Sequence, residues 1–143
     1  STELANAMIG AKRFYTKKQN ALILEWKGSV FLNPPFSNPL CGQFVDKLLG
    51  QCDIGSVKRA ILLCNASTSS AWQQELFSRN FPVCFLAKRL AFSLPIYDQY
   101  GKPERSAPIK GNRFDQLVFY LGGSRADQSW FTQVFELFGV VKS

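Results

Sequence analysis

Two kinds of hydrophobic stretch alternate along the chain. The first is a short, nearly continuous apolar run, clearest at Ala60-Ile61-Leu62-Leu63-Cys64. It predicts a strand over residues 58–65, buried as in a parallel sheet covered on both faces. Residues 29–32, 82–86 and 116–121 read as strands in the same way, the last ending at Gly122-Gly123, and residues 90–92 extend or pair with the third. Residues 12–16, with Phe14 and Tyr15, predict one more short strand, and Val140 and Val141 a last edge strand. The second kind has apolar residues three or four apart. Phe44, Val45, Leu48 and Leu49 share one face of a helix over residues 43–49, with Gly50 as its stop. Ser70 and Gln73 form a capping box for a helix reaching Arg79 and carrying Trp72 and Leu76. Asp127 caps a final helix, with Trp130, Val134, Phe135 and Phe138 on the buried face and Gly139 as its stop. Residues 1–10 predict a helix and 20–25 a helical turn.

The order strand, helix, strand, helix, strand implies right-handed crossovers. The expected class is α/β, with a mostly parallel sheet and helices on both faces. The segment 95–113, with Gly101-Lys102-Pro103 at its tip, is too long for a plain connector. The strands around it predict an antiparallel pair at the sheet edge.

With 143 residues, 46% of them hydrophobic, the chain suffices for one globular domain over 1–143. No run reaches the length of a membrane span, and no signal peptide is visible. The four cysteines show no Cys-x-x-Cys spacing and there is no His, which argues against a metal site and against Ser-His or Cys-His nucleophiles. Free thiols fit a reducing cytoplasm. The net charge is +7 and is unevenly placed. Lys12, Arg13, Lys17 and Lys18 form one cluster. Lys88, Arg89, Lys102, Arg105, Lys110 and Arg113 form a second, against only Asp98 and Glu104. Such clusters suit a phosphate backbone, although solubility alone also accounts for surface charge.

The candidate chemistry sits where the strand at 29–32 runs into Asn33-Pro34-Pro35-Phe36. The prolines fix φ and lack an N–H, so the strand ends there on a stiffened backbone. The resulting tip offers one amide side chain, bare carbonyls and an aromatic face. The Asn33 oxygen and the Pro34 carbonyl can accept both hydrogens of an exocyclic amine while Phe36 stacks on the ring. A simple strand-ending turn would use the same residues. Asn65 ends the neighbouring strand, where ligands of parallel sheets bind, and it too reads as a turn residue on its own. Trp72 reads as core.

This tip resembles the Asn/Asp-Pro-Pro-Tyr/Phe signature of amino-methyltransferases that use S-adenosylmethionine. The wider chain resembles the phage-type DNA N-6-adenine methyltransferase family, through Phe14-Tyr15, Leu24-Glu25-Trp26 with Gly28, the tip, residues 60–65 with Trp72, Lys88-Arg89 with Phe92, residues 117–122, and Val134-Phe135 with Phe138-Gly139-Val140. The resemblance implies a Rossmann-like methyltransferase fold and methyl transfer from S-adenosylmethionine, without metal, to an adenine flipped out of double-stranded DNA. It implies catalytic roles for Asn33, Pro34, Pro35 and Phe36, and cofactor contacts from Asn33 and Asn65. It gives Lys88, Arg89, Lys102, Arg105 and Lys110 to DNA, and it places the protein in the cytoplasm of a bacterial host. It departs at two points. The family's acidic cofactor turn would lie upstream of Ser1, and Phe36 stands where Tyr is common. Two alternatives stay open: a DNA-binding module with a degenerate or truncated methyltransferase fold, and a methyltransferase acting on a protein glutamine.

Overall fold

A computed structural model of the chain describes residues 3–101, 103–108 and 113–143. In chain order the elements are helix α1 (Glu3–Ile9), a 3-10 turn (Lys17–Gln19), β1 (Gly28–Leu32), α2 (Leu40–Asp53), β2 (Val57–Asn65), α3 (Ala71–Ser78), β3 (Val83–Leu86), β4 (Ser93–Tyr97), β5 (Pro103–Pro108), β6 (Gln116–Gly122), α4 (Arg125–Phe135) and β7 (Gly139–Lys142). The chain divides into two compact units, one of residues 1–25 and 91–112, the other of residues 26–90 and 113–143.

The larger unit is built on one five-stranded sheet in the order β1-β2-β6-β3-β7. β1 and β2 are parallel, and every other neighbouring pair is antiparallel. The expectation of a mostly parallel sheet is therefore corrected. β1, β2 and β3 do run in one direction, but β6 inserts between β2 and β3 in the opposite sense. An apolar run reports burial on both faces and carries no information about direction. The pair flanking the long excursion, β3 and β6, is antiparallel as expected, yet it lies inside the sheet, because β7 adds beyond β3.

Helices cover both faces. Phe77 of α3 packs on Phe119 with ring centroids 5.4 Å apart, and Phe131 of α4 packs on Tyr120 at 5.3 Å. Successive residues of a strand face opposite sides, so α3 and α4 lie on opposite faces. This is why β6 is buried from Gln116 to Leu121. Leu48, Leu62, Leu76, Phe119, Leu121 and Phe131 are essentially fully buried, and each such side chain stabilises the fold by about 1.5–3 kcal/mol relative to exposure.

Several expected boundaries move. α2 begins at Leu40 and runs through Gly50 to Asp53, since one internal glycine costs only about 1 kcal/mol. α4 starts from Ser124, whose hydroxyl accepts from the Asp127 N–H while the Asp127 carboxylate accepts from the Ser124 N–H. Asp127 is thus the third helical residue rather than the cap. The buried face of α4 centres on Phe131, while Trp130 and Phe138 are 56% exposed. Gly139 opens β7 instead of stopping the helix. A Cβ there would run into the Phe85 carbonyl, so only glycine lets the two backbones approach.

The smaller unit contains α1, the 3-10 turn and a two-stranded antiparallel sheet of β4 and β5, in which Ile96 pairs with Arg105. The long segment after β3 thus contains a hairpin rather than a plain loop. Residues 12–16 form no strand, and the Tyr15 hydroxyl instead donates to the Glu25 carbonyl at 3.1 Å.

Candidate functional site

The parallel pair sets the geometry of the tip. Pairing of β1 with β2 ends at Leu32 opposite Leu62. Leu32 is anchored in the core, and the two prolines then prevent the ladder from continuing. Beyond it Asn33 is exposed, Pro34 buried, Pro35 exposed and Phe36 half-buried. Pro34 thus fastens the tip while Asn33 faces water. Phe31, 50% exposed, shares the face of Asn33 by strand alternation. It is a second aromatic beside the tip, and nothing in its apolar run separates it from the core residues around it.

β2 continues three residues past Leu62, to Asn65. Because β6 runs antiparallel, its first residue, Gln116, pairs with Asn65. The carboxyl ends of β1 and β2 and the start of β6 therefore meet at one edge, and the chain leaving β3 joins them. The Leu90 N–H donates to Gln116 Oε1 at 3.0 Å, and Arg89 Nε donates to Asp115 Oδ1 at 2.8 Å.

Two buried glutamines hold this edge, and the sequence pattern assigns neither to it. The pattern makes Gln73 a partner in capping α3. The Ser70 side chain makes no capping bond, and Gln73, fully buried, points its amide into the turn after β2. Its Oε1 accepts the Ser67 N–H at 2.6 Å, and its Nε2 donates to the Asn65 carbonyl at 3.1 Å and to Cys64 Sγ at 3.5 Å. Gln116, 1% exposed, donates from Nε2 to Asn65 Oδ1 at 3.3 Å and to the Phe114 carbonyl. Asn65 is thus held by backbone and side chain together, which a plain turn residue does not need. The signal that could have found Gln116 is its type: a glutamine opening an apolar run is rarely buried without a purpose for its amide.

The cations divide. Lys88 and Arg89 are exposed at the carboxyl end of β3. The Arg89–Asp115 ion pair leaves the two side chains 54% and 70% exposed, so it is weak and exchangeable. Arg105 lies on β5 of the smaller unit. Lys102 and Lys110 lie outside the described residues. Trp72, half-buried, packs against Gly42 of α2, where a Cβ would come within 3.2 Å of its ring.

The edge offers amides and carbonyls rather than a nucleophile. Burial pushes the Cys64 thiol up to about 12 and also raises Cys41, Cys52 and Cys84, so all four stay protonated near neutral pH. Among the described residues, no group of three or more His, Cys, Asp or Glu side chains could hold a metal ion. No described helix is long and apolar enough to cross a membrane. A strand-end site of neutral acceptors, aromatic faces and one donor amide is suited to binding and orienting a planar, amine-bearing ring.

Residues 3–135 match the family model for DNA N-6-adenine-methyltransferase (Dam). No curated protein matches the chain, and no solved structure does.

Proposed function

The chain belongs to the DNA N-6-adenine-methyltransferase (Dam) family, and from that premise we propose that it transfers a methyl group from S-adenosylmethionine to the exocyclic amine of adenine in double-stranded DNA. The observation that carries this reading is the tip of Asn33, Pro34, Pro35 and Phe36 at the carboxyl end of β1, beside Asn65 of the parallel neighbour β2. On this reading the larger unit is a variant of the Rossmann-like methyltransferase fold, with ligands beyond the ends of its parallel strands.

S-adenosylmethionine, when bound, supplies the electrophilic methyl group. Asn33 and Asn65 are the residues that would hold it, where its methyl end meets the base. Asn65 supports the fit: it is a half-buried amide whose NH2 hydrogens have no partner among the described residues. An aryl amine is a poor nucleophile because its lone pair is delocalised into the ring. The Asn33 side-chain oxygen and the Pro34 carbonyl accept its two hydrogens, which favours a pyramidal nitrogen with its lone pair directed outward. Phe36 stacks on the extruded base. The surplus proton passes to water, so no strong base is required. Lys88 and Arg89 at the end of β3, Arg105 on β5, and Lys102 and Lys110 are proposed to contact phosphates.

The test is transfer of labelled methyl from S-adenosylmethionine to DNA by the full chain, wild type against Asn33→Ala. Asn33 is exposed, so the variant keeps its fold. Loss of one preorganised hydrogen-bond partner lowers transfer by about 100- to 1,000-fold. Wild-type turnover in the variant refutes the role of the tip. DNA binding without any transfer by the wild type would make the chain a non-catalytic DNA-binding module.

A further inference from the structure

We propose that Gln116 is a positioning residue that locks the Asn65 amide with its NH2 toward the ligand, so that Asn65 donates a hydrogen bond to the ring nitrogen flanking the amine of the target base. The proposal rests on the reading above and assigns to this edge the recognition of the base as well as the handling of its amine.

The orientation follows from which partners can donate. Leu90 offers Gln116 an N–H and Phe114 offers it a carbonyl oxygen. A backbone N–H cannot accept and a carbonyl cannot donate, so the Gln116 amide has a single orientation. Its second NH2 hydrogen therefore faces Asn65, which answers with Oδ1 at 3.3 Å. A flipped Asn65 would set NH2 against NH2. The Asn65 carbonyl is meanwhile occupied by Gln73 at 3.1 Å, so the residue is held at both ends. Its NH2 group makes no hydrogen bond among the described residues, and it is half-buried at the strand end. A donor so placed lacks only an acceptor.

The tip supplies acceptors and Asn65 supplies a donor. That pair complements an amine next to a ring nitrogen, the pattern on the edges of adenine and, through its N3, of cytosine. The keto bases thymine and guanine present the reverse pattern on their pairing edges, a carbonyl beside a ring N–H, and would set oxygen against oxygen and hydrogen against hydrogen. The spacing agrees. Asn33 lies one residue past Leu32 and Asn65 three past Leu62. At about 3.3 Å per residue and a strand separation of about 4.8 Å, their α-carbons stand roughly 8 Å apart, within reach of two side chains on one base edge.

The experiment uses the full chain and a short duplex with one extrahelical adenine, so that extrusion does not limit binding. Two further duplexes carry 1-deazaadenine or 7-deazaadenine at that position, each lacking one ring nitrogen on the side of the amine. Fluorescence anisotropy gives the affinities, labelled-methyl transfer is measured in the same samples, and S-adenosylmethionine affinity is measured by calorimetry. The wild type is expected to bind one deaza duplex on the order of tenfold more weakly than the adenine duplex, the worth of one hydrogen bond. Asn65→Ala, Asn65→Asp and Gln116→Met should bind the adenine and deaza duplexes equally, whatever they do to S-adenosylmethionine affinity. Asn65→Asp retains an oxygen for Gln116 and removes the donor, and because its added negative charge weakens binding to all three duplexes alike, the ratio of their affinities decides the matter even where Gln116→Met fails to fold. Equal wild-type affinity for all three duplexes overturns the proposal. So does wild-type discrimination retained in Asn65→Asp, or a loss confined to S-adenosylmethionine binding, which would give Asn65 to the cofactor alone. Discrimination without methyl transfer supports the proposal while refuting the enzymatic reading. Transfer without discrimination refutes the proposal alone.

Discussion

Replacing Gln73 by Leu should weaken the fold by a predictable amount. The side chain is fully buried and makes two good hydrogen bonds, accepting the Ser67 N–H at 2.6 Å and donating to the Asn65 carbonyl at 3.1 Å. Leucine fills a similar volume and leaves both backbone groups behind. Each orphaned group costs about 1–3 kcal/mol, toward the lower end here because both bonds are only partly buried. Burying the more apolar leucine returns about 1 kcal/mol. The net loss is about 2 kcal/mol, which at a urea m-value of about 2 kcal/mol/M lowers the midpoint by about 1 M. Gln73→Glu should cost more, since it sets a carboxylate oxygen against the Asn65 carbonyl in a buried site. Gln74→Leu is the control. Gln74 also bonds a backbone carbonyl, that of Thr68, but at an exposed position, and its replacement should cost under about 0.5 kcal/mol. Urea titrations followed by circular dichroism measure all four proteins. A Gln73→Leu midpoint equal to wild type, or a Gln74→Leu effect as large, would show that the turn after β2 does not depend on this amide.

Other outcomes follow from the site and its surroundings. Phe36→Tyr should retain methyl transfer, whereas Phe36→Ala should forfeit about 1–3 kcal/mol of affinity for a duplex with an extrahelical adenine, measured by anisotropy. Replacing Lys102, Arg105 and Lys110 together by Ala should weaken binding to all duplexes alike and flatten the salt dependence by about 0.9 for each phosphate no longer neutralised; unchanged slopes would return these charges to a solubility role. The buried thiols predict a pH response. Cys64 stays protonated in the folded protein to about 12, while an unfolded thiol ionises near 8.5. The folded state therefore binds more protons between those values, and this contribution to stability is full below about pH 8.5 and declines as pH rises toward 12. Urea midpoints across that range check the sign, and a midpoint that rose with pH would contradict it.

The features legible in the sequence are those decided locally. Two prolines after an apolar run must end a strand, and Asn33, Pro34, Pro35 and Phe36 do so. Five apolar residues from Ala60 to Cys64 are expected inside, and Ala60, Leu62, Leu63 and Cys64 are buried there, with Ile61 half-buried. What stays hidden depends on partners far along the chain. Gln116 and Asn65 are 51 residues apart, and neither amide shows which way it faces until both are placed. Strand direction is hidden for a similar reason, since β6 would carry the same apolar run whether it ran with β2 or against it. The face of α4 differs from the expected one by one position. Trp130 and Phe131 are both large aromatics, and only the neighbouring Tyr120 and Phe135 rings select Phe131.

The insertion of β6 between β2 and β3 also bears on synthesis. A ribosome delivers β1, β2 and β3 well before residues 116–122, yet β2 and β3 never hydrogen-bond to each other. Until β6 emerges, the nascent chain carries two separated strand groups, each with an open edge and apolar faces exposed to other polypeptides. The centre of the sheet closes late, when its most deeply buried strand slots between them, and β7 then adds beyond β3. Stalled or prematurely terminated chains that stop short of Gln116 should therefore be aggregation-prone species that need a holding chaperone, whereas chains extended past Gly122 can complete the central sheet.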